Sequence, residues 1–269
     1  MKPDPALLIR GSGEVGSAIA LALFRGGYRP VVQDDPAPAT LRRGMAFSDA
    51  LFDGRALLDG VPACRVDGLD DLRETVQAGQ AIPVTALPVA DLLAAQDWDV
   101  LVDARLRKRS VPEDQRGLAG LTIGLGPNFV AGGTVDIAIE TSWEALGTII
   151  RKGPTLPLRG EPRPIGGVGR DRNVYAMQGG VVQTTHHIGD LVSEGDVLGE
   201  IEGAPFIAPL PGLLRGLVRS GVRVDKGAKL AEIDPRGSTG HCFGVGERPA
   251  RLAAEVLKLI GGDRQYPAD

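Results

Sequence analysis

The 269-residue sequence predicts an α/β protein, with a mostly parallel sheet in its first part and a small all-β domain after it. Three observations carry this reading. The chain opens with a short apolar strand, a glycine loop and a strong helix. Apolar runs of strand length recur at 99–103, 121–126 and 135–140. From residue 180 onward a glycine-punctuated pattern repeats at an offset of 32 residues.

Residues 6–9 form a short buried strand, and a glycine loop with Gly11, Gly13 and Gly16 follows it directly. Residues 17–25 form a helix closed by Gly26 and Gly27, and a second strand at 29–33 ends at Asp34 and Asp35. This is a βαβ opening of the expected size. A helix at 88–95 precedes the strand at 99–103. Such alternation predicts a Rossmann-like, mostly parallel sheet covered on both faces, here residues 1–152.

The spacing Gly11-x-Gly13-x-x-Gly16 is weak alone, because the chain has 38 glycines. Its place between strand and helix gives it meaning. The first glycine makes a tight turn, the second lets backbone approach a pyrophosphate, and the third lets helix pack on strand. The helix N-terminus supplies N–H groups and positive dipole for an anion. The loop Gly11, Ser12, Gly13, Glu14, Val15 and Gly16 is therefore a candidate phosphate cradle, with Asp34 placed to accept from a ribose hydroxyl. Ligands of open α/β sheets bind outside the carboxyl ends of the strands. That rule adds Asp103, Arg105, Gly124, Gly126 and Asn128, with Arg107, Lys108 and Arg109 as further cations and Glu140 and Thr141 beside them.

Residues 153–169 carry four prolines and five glycines, so 153–173 reads as a linker. In the repeat, Gly180, Gly189, Val192, Gly195, Leu198 and Ile201 return as Gly212, Gly221, Val224, Gly227, Leu230 and Ile233. A unit too short to bury its own apolar face must close on its copy. The pattern resembles the biotinyl/lipoyl-like barrel-sandwich, assigned to 174–240, with the segment 208–212 leading into the second half. The hairpin between the halves has no lysine, which predicts that neither biotin nor lipoyl is carried. Residues 241–269 form an amphipathic C-terminal helix and tail, with Leu252, Val256, Leu257 and Ile260 on one face.

Composition narrows the function. Thirty basic and thirty-four acidic residues give a net charge of −4, and only eleven residues are aromatic. This predicts no attraction to nucleic acid or anionic lipid and few base-stacking platforms. No apolar run reaches the length of a signal core or a membrane span. A cytoplasmic protein is the simplest reading, and a homo-oligomer is left open. Two cysteines, Cys64 and Cys242, cannot build a disulfide framework. None of the three tyrosines has a lysine four residues on, and the three histidines all fall in or beside the repeat. His186 and His187 are adjacent, so on a strand they point to opposite faces and hold no common metal; no metal site is predicted. Cys242, with His241 beside it and glycines before it, is the one candidate catalytic nucleophile or soft-element ligand. A small buried hydrophobe is the alternative reading.

The segments Ile9-Arg-Gly-Ser-Gly-Glu-Val-Gly16, 41–50 with 52–54, Val102-Asp-Ala-Arg105, 123–129, 139–141 and 233–237 together resemble the YqeB family, over nearly the whole chain and in order. That family comprises accessory proteins associated with selenium-dependent molybdenum hydroxylases. The resemblance implies a maturation role related to XdhC-type proteins, a nucleotide or molybdopterin-type cofactor at the glycine loop, and a molybdenum hydroxylase or its maturation proteins as partners. An NAD(P)-dependent oxidoreductase and a non-catalytic ligand sensor or adaptor are the alternatives.

Overall fold

The computed structural model describes residues 5–107, 110–158 and 162–261, folded as two compact units. The first comprises Met1–Pro36, Ala46–Leu158 and Val245–Asp269, and the second Ala37–Met45 and Arg159–Gly244.

The first unit begins with β1 (Leu7–Arg10), α1 (Glu14–Arg25) and β2 (Pro30–Gln33). Leu7 and Ile9 point to one face of the sheet and Leu8 to the other, and all three are buried. Burial on both faces is why this strand is continuously apolar. A short helix, α2 (Ala50–Asp53), leads to a hairpin of β3 (Arg55–Leu58) and β4 (Val61–Arg65). Then come α3 (Leu69–Ala78), β5 (Ile82–Thr85), α4 (Val89–Ala95) and β6 (Val100–Asp103). The remaining strands are β7 (Leu121–Leu125), β8 (Val130–Ala131), β9 (Ile137–Ile139), β10 (Ile149–Ile150) and β11 (Gly153–Pro154), and α5 (Glu247–Gly261) completes the unit.

Nine of these strands make one sheet in the order β10-β9-β7-β6-β1-β2-β5-β4-β3. Helices α1 and α5 cover one face, where Ile19, Leu23, Leu252 and Val256 pack on Ile9, Val32 and Val102. Helices α3 and α4 cover the other with Leu72 and Leu92, against Leu8, Val31 and Leu101. The amphipathic face expected of the last helix is thus the face that packs. Burial of Leu252 and Val256 contributes about 1.5–3 kcal/mol each.

The second unit contains β12 (Asn173–Tyr175), β13 (Gly180–Gln183), β14 (Leu191–Val192) and β15 (Val197–Ile201). It continues with β16 (Ala204–Ile207), β17 (Gly212–Leu217), β18 (Arg223–Val224) and β19 (Lys229–Asp234). The two sequence copies exchange strands: β13 of the first pairs with β18 of the second, and β14 with β17. Val192, Leu198 and Ile201, and their repeats Val224, Leu230 and Ile233, are all buried. Gly195 and Gly227 take left-handed φ of 88° and 82°, which accounts for glycine at that register.

The expected architecture, a Rossmann-like sheet beside one closed barrel-sandwich, is corrected by this arrangement. The large sheet is mixed, with antiparallel pairs β3–β4 and β9–β10 at its two edges. Beyond β6 the strands follow one another with no helix between them among the described residues, so the helical cover of a doubly wound fold is missing there. The repeat does not close into one barrel either. Its strands form two separate four-stranded antiparallel sheets, β12-β19-β17-β14 and β16-β15-β13-β18.

Candidate functional site

β1 lies between β2, which follows it in sequence, and β6, to which the chain returns after β5. The order reverses at β1, and a crevice outside the carboxyl ends of the strands is expected at such a point. The glycine loop sits there. Gly11 has φ +104°, and a Cβ on it would stand 3.0 Å from the Arg105 backbone nitrogen. A Cβ on Gly16 would collide with the Gly11 carbonyl oxygen. Gly13 differs, because open space surrounds its missing Cβ. It is the N-cap of α1, extended at φ −69° and ψ −178°, and no side chain caps the helix. Val15 and Ser12 are buried beneath the loop, and Glu14 is the acid of the first helical turn.

Asp34 has a different task from the ribose contact expected of it. Its Oδ2 accepts the Ser12 N–H at 2.6 Å and the Ser12 hydroxyl at 2.7 Å, and its Oδ1 accepts the Asp35 N–H at 2.8 Å. The Ser17 hydroxyl donates to the Ser12 carbonyl and accepts the Phe47 N–H, both at 2.8 Å. The loop is therefore braced through both the backbone and the side chain of Ser12 without any ligand.

The cations expected to neutralise a phosphate are paired with carboxylates. Asp103, 1% exposed, accepts from Arg105 Nε at 3.0 Å and Nη2 at 2.5 Å, and from the Gln115 amide at 2.8 Å. Burial pushes the Asp103 carboxyl up, but Arg105 and Gln115 outweigh it and hold it below the usual carboxylate range. Glu113 receives Arg10, Arg105 and Arg107 together. Its partial burial is likewise outweighed by those guanidiniums, which hold its carboxyl far below normal. Lys108 and Arg109, also expected here, lie outside the described residues.

Gly124 is explained by packing, since the Phe129 ring occupies the place of its Cβ. Gly126 has φ +110°, with Leu106 and Thr141 beside it, and its N–H donates to the Ile139 carbonyl at 3.3 Å. Asn128 is left-handed at φ 73°, and its amide donates to the Ser110 carbonyl at 3.2 Å. Glu140 is buried and accepts three backbone N–H groups, of Thr141, Ser142 and Leu156. It organises the loop after β9 and presents no free oxygen for chemistry.

Cys242 is corrected as a catalytic candidate. It belongs to the second unit, is only 6% exposed, and its thiol is pushed up by burial and by Asp234 against the opposing pull of Arg215. A thiolate nucleophile requires the reverse shift. Its sulfur stands 4.0 Å from the place of a Cβ on Gly189, so it fills space against the repeat. Of the two adjacent histidines, His186 is held by Asp190 at 3.2 Å and the Val197 carbonyl at 3.1 Å, while His187 is exposed.

Two features escaped the sequence reading. One is Glu113, whose partner Arg10 is 103 residues away. The other is a cavity of about 270 Å³ between α3, α4 and the sheet, lined by Leu7, Val31, Leu72, Leu92 and Trp98. It opens at the amino ends of β1, β2 and β6, opposite the glycine loop, and Arg29, Arg73, Gln77 and Gln96 join its mostly apolar walls. We read it as a packing gap under two short helices.

No family model matches the chain. An uncharacterised protein named YqeB, from Escherichia coli (strain K12), is 33% identical over 257 residues, which is 94% of this chain and 47% of YqeB. The chain thus spans about half the length of that relative. Among solved structures, the ectoine utilization protein EutE (DoeB) from Ruegeria pomeroyi is 15% identical, with 80% of this chain and 64% of that one covered and a TM-score of 0.25. An aspartoacylase family protein from Mesorhizobium loti is 13% identical, with coverage of 86% and 85% and the same TM-score. A succinylglutamate desuccinylase/aspartoacylase from Rhodobacter sphaeroides is 22% identical over 32% of this chain and 29% of its own, at a TM-score of 0.22. Scores this low transfer neither fold nor activity. The expected accessory role toward a molybdenum hydroxylase is corrected at its soft-element ligand: Cys242 is buried, with its thiol pushed up. What the sequence comparison supports is kinship, and the chain is a homologue of YqeB.

Proposed function

We propose that the first unit binds a small phosphate-bearing ligand of the nucleotide class, with its phosphate at the N-terminus of α1. The observation that carries this is the free space at Gly13 above an uncapped helix end, placed where the strand order reverses. The first N–H groups of a helix have no intrahelical partner, and an anion satisfies them while meeting the positive end of the dipole. Gly11 and Gly16 shape the turn, and the Ser12–Asp34 bonds hold it rigid. A loop fixed in advance loses little entropy on binding. Glu14 faces the opposite way in charge, so discrimination at this site favours a ligand whose phosphate reaches the amides while a neutral part passes the carboxylate. The same amides would hold the phosphate of a molybdopterin-type cofactor, from which a nucleotide differs in the ring it carries.

The reading assigns binding and no reaction. Among the described residues, the crevice contains no histidine or cysteine, and its carboxylates at Asp34, Asp103 and Glu140 are engaged by backbone or guanidinium donors. A titration of ¹⁵N-labelled protein with ADP and NAD⁺ tests it. Amide shifts should concentrate at 11–16 and at the neighbouring 103–107. Shifts confined to the second unit, or none at millimolar ligand, would refute it.

A further inference from the structure

Three guanidiniums converge on one exposed carboxylate beside the glycine loop. Glu113 Oε1 accepts Arg10 Nη1 at 2.7 Å and Arg105 Nη2 at 2.9 Å, and its Oε2 accepts Arg107 Nη2 at 2.6 Å. The arginines are not free to follow Glu113 if it leaves. Arg10 is 7% exposed and is also held by Gln115 at 3.1 Å, and Arg105 is locked to the buried Asp103 through two nitrogens. Leu106, between the other two arginines, has φ +53°, a conformation disfavoured for a leucine, and this turn sets Arg105 and Arg107 on the same side. Glu113 itself is 45% exposed, and its carboxylate meets the cluster through these three guanidiniums. Arg10 Nε is buried and has no hydrogen-bond partner among the described residues, so the cluster holds an unused donor there.

We propose that this cluster is an oxyanion site, that Glu113 is its internal occupant, and that a phosphate group displaces Glu113 when ligand binds. Charge decides the direction. With Glu113 in place the five ionised groups carry three positive and two negative charges. Without it, two positive charges are unbalanced in a half-buried place. A phosphate monoester brings about −1.5 to −2 and three acceptor oxygens, so it matches three guanidiniums better than a carboxylate with two oxygens does. Arg10 immediately precedes Gly11, and the Arg105 backbone packs on Gly11, so the site adjoins the α1 N-terminus. The inference draws on the proposed ligand site only for the identity of the ligand; the oxyanion site itself stands on the arginine geometry. A nucleotide with two or more phosphates could then place one at the helix and another among the arginines. Such a ligand is favoured over a monophosphate.

The test uses the full chain and inorganic pyrophosphate, with sodium chloride at matched ionic strength as control. Glu113→Gln removes the occupying charge from an exposed side chain. It should lower the thermal midpoint, and pyrophosphate should restore it and bind at least tenfold more tightly than to the wild type. Arg107→Gln, placed on the same loop, should weaken pyrophosphate binding in the Glu113→Gln background. Equal pyrophosphate affinity in wild type and Glu113→Gln overturns the inference, as does rescue by chloride alone. If Glu113→Gln gains pyrophosphate affinity but neither protein binds ADP at the helix N-terminus, the inference stands and the proposed nucleotide site falls. If wild type binds ADP and Glu113→Gln binds neither ADP nor pyrophosphate more tightly, the reverse holds.

Discussion

Asp34 and Ser12 are joined twice through a single carboxylate oxygen, which accepts both the backbone N–H and the hydroxyl of the serine. The acid after β2 thus closes the glycine loop from below. Hydrogen bonds to a charged acceptor contribute about 1.5–3 kcal/mol each. Asp34→Ala should accordingly cost about 1–3 kcal/mol in urea unfolding, discounted for the half-exposed setting, and Ser12→Ala part of that. If Asp34→Ala left stability unchanged but abolished nucleotide binding, Asp34 would be a ligand contact after all.

The three glycines should separate under substitution. Gly16→Ala drives a methyl into the Gly11 carbonyl. The backbone must move, at a cost of about 3 kcal/mol or a failure to fold. Gly13→Ala meets nothing and sits at an extended φ, so stability should stay within about 0.5 kcal/mol. Parallel melting curves of the two variants decide the matter; equal losses would mean the loop is not built as described.

Cys242 should resist alkylation by iodoacetamide at neutral pH until the protein unfolds. Cys64 also has its thiol pushed up by burial, but it is only half-buried on β4 and should react first. Rapid labelling of Cys242 in the native state would restore it as a reactive thiol.

Acid should weaken the second unit through Glu232. This carboxylate is fully buried and accepts Arg42 at 2.8 and 3.0 Å and Arg172 at 3.2 Å. Burial raises its pKa, but the guanidinium of Arg42, helped by Lys229 and Arg172, carries it down to about 2 from a reference of 4.5. A depressed acid stabilises the fold above its unfolded pKa and loses that contribution as pH falls toward the folded one. The loss therefore lies between about pH 4.5 and 2 and amounts to about 3 kcal/mol. Glu232→Gln should be destabilised at pH 7 by about 3–5 kcal/mol, because the buried Arg172 and the partly exposed Arg42 lose the charge that balances them. Its stability should be flatter than that of the wild type across the acid window, as followed by circular dichroism.

What could be read in advance follows from range along the chain. The strand, loop and helix at 6–27 were legible because each is a local pattern and the glycines punctuate it. The face of α5 was legible from Leu252 and Val256, four residues apart. Helix α3 was missed because its sequence is polar and Leu72 alone is fully buried on it. The hairpin of β3 and β4 was missed because Pro62 interrupts a short run with one buried side chain, Ala63. The repeat after residue 180 showed which residues face inward, but not how sheets close. Closure depends on which strand pairs with which, and the exchange of β13 with β18 is invisible in a periodicity. The role of Asp34 and the position of Glu113 are long-range pairings of the same kind. Glycine spacing marks the crevice, whereas the pairing of its charges is set by contacts far apart in the chain.

The central claim is that the space at Gly13 receives a phosphate. Isothermal titration calorimetry of ADP into wild type and Gly13→Val measures it directly. A branched side chain there would fill the approach to the α1 amides while meeting no protein atom at its Cβ. The account predicts measurable binding to wild type, at least a tenfold loss in Gly13→Val, about 1.4 kcal/mol, and unchanged unfolding midpoints. Equal affinity for the two proteins would contradict it.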